Sequence, residues 1–175
     1  MRPSRGAGVA GSRAAPTLAA AALAGLIGTE LQGARAAGAP APAYPQGSAA
    51  FQSNCAVCHG PGGAGVPSLA PPLLAYPARY AASTEGRRQL AMTLLYGMFG
   101  DISVGAAHFN AQMPAFAQLD DATLAALLNF VVFDLDHAAA GIKPLAAGEI
   151  AAERARPVDA AAVREHRKQL APPGP

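Results

Sequence analysis

Two segments of the chain carry apolar residues at helical spacing. The longer stripe follows i, i+3, i+4, i+7 and i+11 spacing and consists of Leu124, Leu127, Leu128, Val131 and Leu135. It predicts a helix that Asp120 or Asp121 can cap. The shorter stripe consists of Leu90, Leu94, Leu95 and Met98. It predicts a helix over residues 85–96, with Thr84 as its cap and Gly97 as its stop.

The segments around these stripes are shorter and less regular. A third helix is expected over residues 47–58, with Ser48 as its N-cap and Phe51 as its one large apolar anchor. Residues 60–77 contain four Gly and five Pro, which predicts an irregular loop wrapped around something apolar. Residues 101–110 alternate weakly and can form a small hairpin. The pattern therefore predicts an all-α fold of three to five short helices and long loops. Such a fold has a small core and usually needs an additional stabilising group, such as a cofactor.

The first 36 residues have the order of a secretory signal peptide. A basic segment with three arginines precedes an apolar stretch, and small residues follow it. We expect cleavage after Ala36, with Ala39 and Ala43 as alternative sites. Residues 37–44 would then form a flexible lead-in, and the mature chain would be periplasmic. The alternative is an uncleaved anchor helix, although the apolar stretch is marginal for spanning about 30 Å of hydrocarbon.

The composition excludes several classes of protein. Hydrophobic residues make up 51% of the chain, charged residues 14%, and the formal net charge is +2. Two cysteines are too few for a multi-disulfide scaffold, and the charge is too low for a dedicated nucleic-acid binder. No apolar run is long enough for a polytopic membrane protein. We therefore expect no nucleic acid among the partners, and no transmembrane span if the signal peptide is cleaved.

Both cysteines lie in the sequence Cys55-Ala56-Val57-Cys58-His59, which has the C-x-x-C-H pattern of c-type haem attachment. At this spacing each thiol can add to one haem vinyl group, and the next residue can offer an imidazole nitrogen to the iron. A thioredoxin-like redox pair would need a strand–helix setting that the pattern does not show. A zinc site would need a second ligand pair, and a plain disulfide would not require the histidine. The motif favours covalent haem.

An iron bound by His59 has a sixth coordination position to explain. Met113 is the leading candidate, because Pro114 restrains the loop that would hold its thioether. His108 is a rival ligand five residues upstream. Met92 and Met98 fit better as core filler on the predicted middle helix. A third possibility is an open sixth position, which would suit a haem enzyme or a ligand sensor.

With these residues in place, the chain resembles the class I monohaem cytochromes c of the bacterial periplasm over about residues 45–137. The segment that carries Gly47 and Phe51 is similar to the family's first helix. Asn129 and Phe130 are similar to the positions on the last helix that pack against it. The chain departs from the mitochondrial members, because both of its lysines lie beyond residue 137 and no docking ring of lysines exists.

The resemblance implies a cofactor, its ligands and a function. One haem c would be attached through Cys55 and Cys58, with His59 and Met113 as the two iron ligands. Pro72 resembles the proline that packs on the proximal face of the haem. The family implies a one-electron carrier, not an enzyme, that shuttles electrons between a dehydrogenase or quinol-oxidising complex and an oxidase or other acceptor. The alternative is a cytochrome c subunit of a periplasmic or membrane oxidoreductase complex, so we expect a monomer or a subunit.

Residues 138–175 form an extension beyond the last family helix. Helices are possible over residues 149–156 and 159–170, with a break at Pro157. Their apolar faces are thin, which predicts a partly helical or disordered tail that docks loosely on the body. Another interpretation is a tether to a partner or an anionic surface through three cations, Arg164, Arg167 and Lys168.

Overall fold

The computed structural model describes residues 41–170, and all structural statements refer to that part of the chain. The predicted signal peptide (1–36) and the first half of the predicted lead-in lie outside the described residues. Within the described range the helices are α1 (Pro45–Asn54), α2 (Ala56–His59), α3 (Pro77–Ala81), α4 (Thr84–Tyr96), α5 (Asp121–Asn129), α6 (Ala147–Arg154) and α7 (Ala160–Gln169). A π-helical segment, Phe130–Leu135, continues α5. Two short strands are the remaining regular elements, so the mostly helical fold class is confirmed.

Helix α1 packs across α5 at a very close approach. A Cβ on Gly47 would collide with the carbonyl oxygen of Ala126, so only glycine allows the two backbones to meet there. One turn later the rings of Phe51 and Phe130 contact each other, with centroids 5.4 Å apart. The predicted pairing of Gly47 and Phe51 with Phe130 is confirmed. Asn129 has a different role, because its amide binds the backbone of Leu145 in the extension.

The start and end of the first helix differ from the prediction. Ser48 is not the N-cap, because α1 begins at Pro45, whose ring fixes a helical φ at the first position. The predicted single helix over residues 47–58 is divided, since α1 ends at Asn54 and α2 begins at Ala56. Cys55 therefore lies at the junction of two helices.

Helix α4 and helix α5 supply much of the remaining core. Ser83, not Thr84, caps α4: its hydroxyl accepts the Gly86 N–H at 3.1 Å. Asp120 caps α5 by accepting the Thr123 N–H at 2.7 Å. The largest side chains with essentially no exposed surface lie on several helices: Phe51, Leu95, Leu124, Leu127, Ile150, Val132 and Val163. Because Ile150 and Val163 belong to α6 and α7, the core extends into the C-terminal extension.

A small hairpin and a long loop complete the body. Strand β1 (Ile102–Val104) pairs antiparallel with β2 (Ala107–Phe109), as the sequence predicts. Residues 60–76 form no helix or strand, and the loop is held by backbone hydrogen bonds such as Leu73 N–H to Gly63 at 2.8 Å. Helix α3 was not predicted; it is one short turn that begins at Pro77.

The extension is packed on the body, so the expectation of a loosely docked tail is wrong. Arg87 of α4 donates to both carboxylate oxygens of Glu149 at 2.7 Å. It also donates to the carbonyl oxygens of Lys143 and Pro144 at 2.7 and 2.9 Å. The thin apolar faces misled the prediction because their few apolar side chains, such as Ile150 and Val163, are fully buried, and polar groups such as Arg87 add to the contact.

Two further contacts fix the extension on α5. The Asn129 amide exchanges two hydrogen bonds with the Leu145 backbone, at 2.7 and 3.0 Å. The Arg154 guanidinium donates to Asp121 at 2.8 Å and to the carbonyl oxygens of Ala117 and Leu119 at 2.7 Å. These contacts join the extension to both ends of α5.

Candidate haem site

A cavity of the described part of the chain is lined by residues of α1, α2, α4, α5, the long loop and the hairpin. Its volume is about 270 Å³, whereas a single water needs only about 10–15 Å³ on the same kind of measure. Its walls are mostly apolar and include the residues Phe51, Leu73, Leu90, Leu94, Met98, Val104, Phe109, Phe116, Leu128 and Val131. The cavity therefore suits a large apolar group.

The two cysteines line this cavity: Cys55 lies at the junction of α1 and α2, and Cys58 lies in α2. Both line it as free thiols, with Cys55 buried and Cys58 half-buried. Cys55 is fixed by the hydrogen bond from its N–H to Phe51 at 2.8 Å. Burial, together with the nearby Cys58, raises the pKa of Cys55 to about 11. The thiol of Cys55 is therefore protonated near neutral pH, which makes it a weak nucleophile.

The imidazole of His59 is buried in the cavity wall and is oriented by a backbone carbonyl. Its Nδ1 lies 2.9 Å from the carbonyl oxygen of Pro71, which can only accept, so Nδ1 carries the hydrogen. The Nε2 lone pair is then free for a metal, which is the usual arrangement of histidine ligands. Burial lowers the pKa of His59, against the opposing effect of the Pro71 carbonyl. The ring is therefore held neutral, as coordination requires.

Met113 lies on another segment of the cavity wall, in a loop that α4 holds in place. The Met98 and Met113 backbones exchange two hydrogen bonds, at 3.1 and 2.9 Å. Three residues later the Phe116 N–H donates to Leu94 at 2.8 Å. Gly97 has a φ of +71°, and a Cβ there would collide with the Met113 carbonyl oxygen. Glycine at this position therefore allows the loop to lie against the end of α4.

His108 lies away from the cavity. It is on strand β2, its side chain is 71% exposed, and its Nδ1 lies 3.2 Å from the hydroxyl of Ser103. It does not line the cavity, whereas Met113 does. The structure thus brings Cys55, Cys58, His59 and Met113 to one cavity and leaves the rival ligand on the surface.

Several lining residues were not found by sequence reasoning. Pro72 lines the cavity as expected, but the polar contact to the histidine comes from the carbonyl of Pro71. Gln89, which is buried, and Arg167 of α7 also line the cavity. No sequence signal marks the Pro71 carbonyl, because every residue has one. Arg167 was singled out, but as a contact for an external partner.

The donor set fits a covalently attached haem. Two free thiols at C-x-x-C-H spacing face an apolar cavity, and a neutral imidazole with a free Nε2 follows the second thiol. A thioether on a separate loop supplies a soft ligand of the kind found in cytochromes c. When bound, the haem would supply a one-electron couple between ferrous and ferric iron, while the chain supplies the attachment points, ligands and apolar walls.

Comparison with known proteins agrees with this geometry. The profile of the family described as Cytochrome c matches residues 44–132. Two proteins of Thermus thermophilus, both named cytochrome c-552, are 37% identical over 124 residues. The alignments cover 70% of this chain and 95% and 84% of the two relatives.

These matches also identify the cofactor and the general activity. Haem c, covalently bound through cysteines in C-x-x-C-H spacing, is the cofactor of such proteins, and haem-based electron transfer is their activity. No helix within residues 41–170 is long and apolar enough to cross a membrane. The motif, the cavity and the matches lead to one assignment: the chain belongs to the class I monohaem cytochrome c family.

Proposed function

We propose that this chain is a periplasmic one-electron carrier whose single haem c has His59 and Met113 as its iron ligands. The haem would be attached through Cys55 and Cys58. The protein would take electrons from a dehydrogenase or quinol-oxidising complex and deliver them to an oxidase or another acceptor. The observation that carries the proposal is that the fold brings Met113, from a separate loop, to the same apolar cavity as the contiguous motif that holds Cys55, Cys58 and His59.

The residues themselves favour electron transfer over chemistry at the iron. With an imidazole and a thioether both bound, no coordination position is left for a substrate. Both ligands are neutral, and the apolar walls disfavour the extra positive charge of the ferric state, so the chain should hold the iron at a high reduction potential. The fixed backbone of the Met113 loop supports this interpretation, because a carrier needs a site that changes little between its two oxidation states.

The attachment edge offers a route for the electron to leave. Val57 stands between the two cysteines, lines the cavity and is 82% exposed. A group bound through Cys55 and Cys58 would therefore reach the surface at this edge. Redox partners usually bind through small, transient interfaces, and an exposed apolar side chain at the cavity mouth suits such a contact.

The ligand assignment can be tested by spectroscopy of purified holoprotein. We expect wild-type protein to show a low-spin spectrum, with a long-wavelength sulfur-to-iron band when oxidised and no binding of carbon monoxide when reduced. Met113→Ala should lose that band and bind carbon monoxide, because the sixth position opens. His108→Ala serves as the matched control and should behave like the wild type. Loss of the band in His108→Ala but not in Met113→Ala would reverse the assignment.

The carrier role needs a separate test, because the spectrum does not name a partner. Stopped-flow mixing of the reduced protein with an oxidised acceptor isolated from the same membranes should show second-order electron transfer. Co-purification of the chain in a stoichiometric complex, with no transfer by the free form, would instead favour the subunit alternative.

A further inference from the structure

The C-terminal helix contributes to the cavity wall although it lies beyond the region that the family profile matches. That profile ends at residue 132, and α7 spans Ala160–Gln169. Arg167, in the last turn of α7, lines the cavity. Among the described residues it is the single arginine or lysine that does so. A permanent cation in a mostly apolar wall needs a partner, because an uncompensated charge is costly in such a setting.

Arg167 has no carboxylate partner within the described part of the chain. Its one hydrogen bond there goes from a terminal nitrogen to the carbonyl oxygen of Ser103, at 3.0 Å. Three other arginines at the junction with the extension, Arg87, Arg88 and Arg154, each pair with a carboxylate. The guanidinium carries five N–H donors, so most of those on Arg167 are available to an anion in the cavity.

The position of Arg167 is fixed by its neighbour in the sequence. His166 places Nδ1 2.7 Å from the side-chain oxygen of Gln89, a buried residue of α4 that also lines the cavity. Its Nε2 lies 3.2 Å from the carboxylate of Glu85, at the start of the same helix. These two contacts orient α7 on α4, and the next residue then lies at the cavity.

The haem that this family binds carries two propionate carboxylates on the edge opposite its two vinyl groups. A haem attached through Cys55 and Cys58 would have its vinyl edge at the wall to which α1 and α2 contribute. The Ser103 carbonyl that Arg167 contacts belongs to the hairpin, and α7 packs on α4, so Arg167 belongs to a different wall. A haem propionate is a carboxylate, and the Arg167 guanidinium has no carboxylate partner among the described residues. The two groups have opposite charges and can form a bidentate pair.

We propose that Arg167 binds a haem propionate, so that the C-terminal extension is part of the cofactor site. The proposal rests on the haem being bound as described above. It replaces the interpretation of Arg167 as a contact for an external partner, since its side chain faces the cavity. Loss of the cation leaves a carboxylate uncompensated, and that negative charge favours ferric iron.

The test compares Arg167→Gln with Lys168→Gln in holoprotein. Both variants remove one positive charge at adjacent positions, but Lys168 is half-exposed and pairs with Glu165 on the surface. We expect Arg167→Gln to lower the midpoint potential by more than twice the shift of Lys168→Gln, because surface charges are screened. The propionate bending band in the resonance Raman spectrum should move in Arg167→Gln only. Equal potential shifts with an unmoved Raman band would overturn the proposal.

Two further measurements keep the result decisive. If Arg167→Gln does not accumulate as holoprotein, the Raman spectrum of Arg167→Lys is measured instead: a moved propionate band supports the proposal and an unmoved one overturns it.

A free anion in the cavity is the other partner that Arg167 could bind. A wild-type potential that depends on phosphate at constant ionic strength, with the dependence lost in the variant, would assign Arg167 to that anion and overturn the proposal. A colourless wild-type protein would instead refute the proposed function.

Discussion

Arg87 is the polar centre of the junction between the body and the C-terminal extension. Its guanidinium binds both oxygens of Glu149 and two consecutive carbonyls of the extension. Arg87→Ala removes all of these contacts at once. It also leaves the Glu149 carboxylate without its cation and two carbonyl oxygens without their donor. We expect the extension to loosen and the free energy of unfolding to fall.

The size of this effect follows from the exposure of the two side chains. That of Arg87 is 16% exposed and that of Glu149 is 40% exposed. Breaking a fully buried pair costs about 3–5 kcal/mol, whereas exposed pairs contribute about 0–1 kcal/mol. The observed pair lies between these limits, and the two carbonyl contacts add to it. We therefore expect Arg87→Ala to reduce the free energy of unfolding by about 2 kcal/mol.

Chemical denaturation of the holoprotein, followed by far-ultraviolet circular dichroism, measures this loss. Arg87→Lys keeps the charge but not the planar fork, so it should recover only part of the stability. A double-mutant cycle with Glu149→Gln isolates the pair from the carbonyl contacts. A loss of less than about 0.5 kcal/mol in Arg87→Ala, which is the range of ordinary surface substitutions, would refute this reasoning.

The same pair predicts a dependence on pH. The Arg87 guanidinium holds the pKa of Glu149 below its ordinary value of 4.5. A carboxyl group whose folded pKa is lowered stabilises the fold fully above its unfolded pKa, and that stabilisation is lost as the pH falls through the folded value. The stability difference between the wild type and Arg87→Ala should therefore be constant near neutral pH and shrink below about pH 4.5. A difference that grows on acidification would contradict the assignment.

Three further predictions concern the cofactor site and the helix pairing. The double variant Cys55→Ser, Cys58→Ser should lose most of its helical circular dichroism, because the cavity walls lose the group that fills them; native helical content would contradict this. Gly97→Ala should weaken the sulfur-to-iron band of the oxidised protein, since a Cβ there displaces the Met113 carbonyl, and an unchanged spectrum would count against it. Gly47→Ala should lower the free energy of unfolding by about 1–3 kcal/mol through overpacking, measured by denaturation.

The sequence predicted correctly those features that depend on residues close together in the chain. The 3.6-residue stripe located α5, because most of that stripe faces the core, and the attachment motif is contiguous in the chain. The caps were harder to place: Ser83 and Thr84 are adjacent hydroxyl residues, and only the backbone angles of the folded chain select the first. Ser48 failed as a cap for a similar reason, because Pro45 already begins the helix.

The parts that sequence reasoning missed depend on contacts between distant residues. Arg167 and Ser103 are 64 positions apart, and His166 and Gln89 are 77 apart. A charged helix with few apolar residues, such as α7, has the same sequence pattern whether it is exposed to solvent or packed against polar groups of the body. The partner groups, which include backbone carbonyls and the Gln89 amide, have no signature of their own in the sequence. Only the fold shows that they meet.

The placement of α7 has a consequence for how the holoprotein is assembled. Synthesis proceeds from the N-terminus, so the thiols emerge about a hundred residues before the helix that carries Arg167 to the cavity wall. During that interval the cavity lacks one side. A porphyrin that entered during this interval would reach the thiols from the side that α7 later closes, and α7 would then cover it.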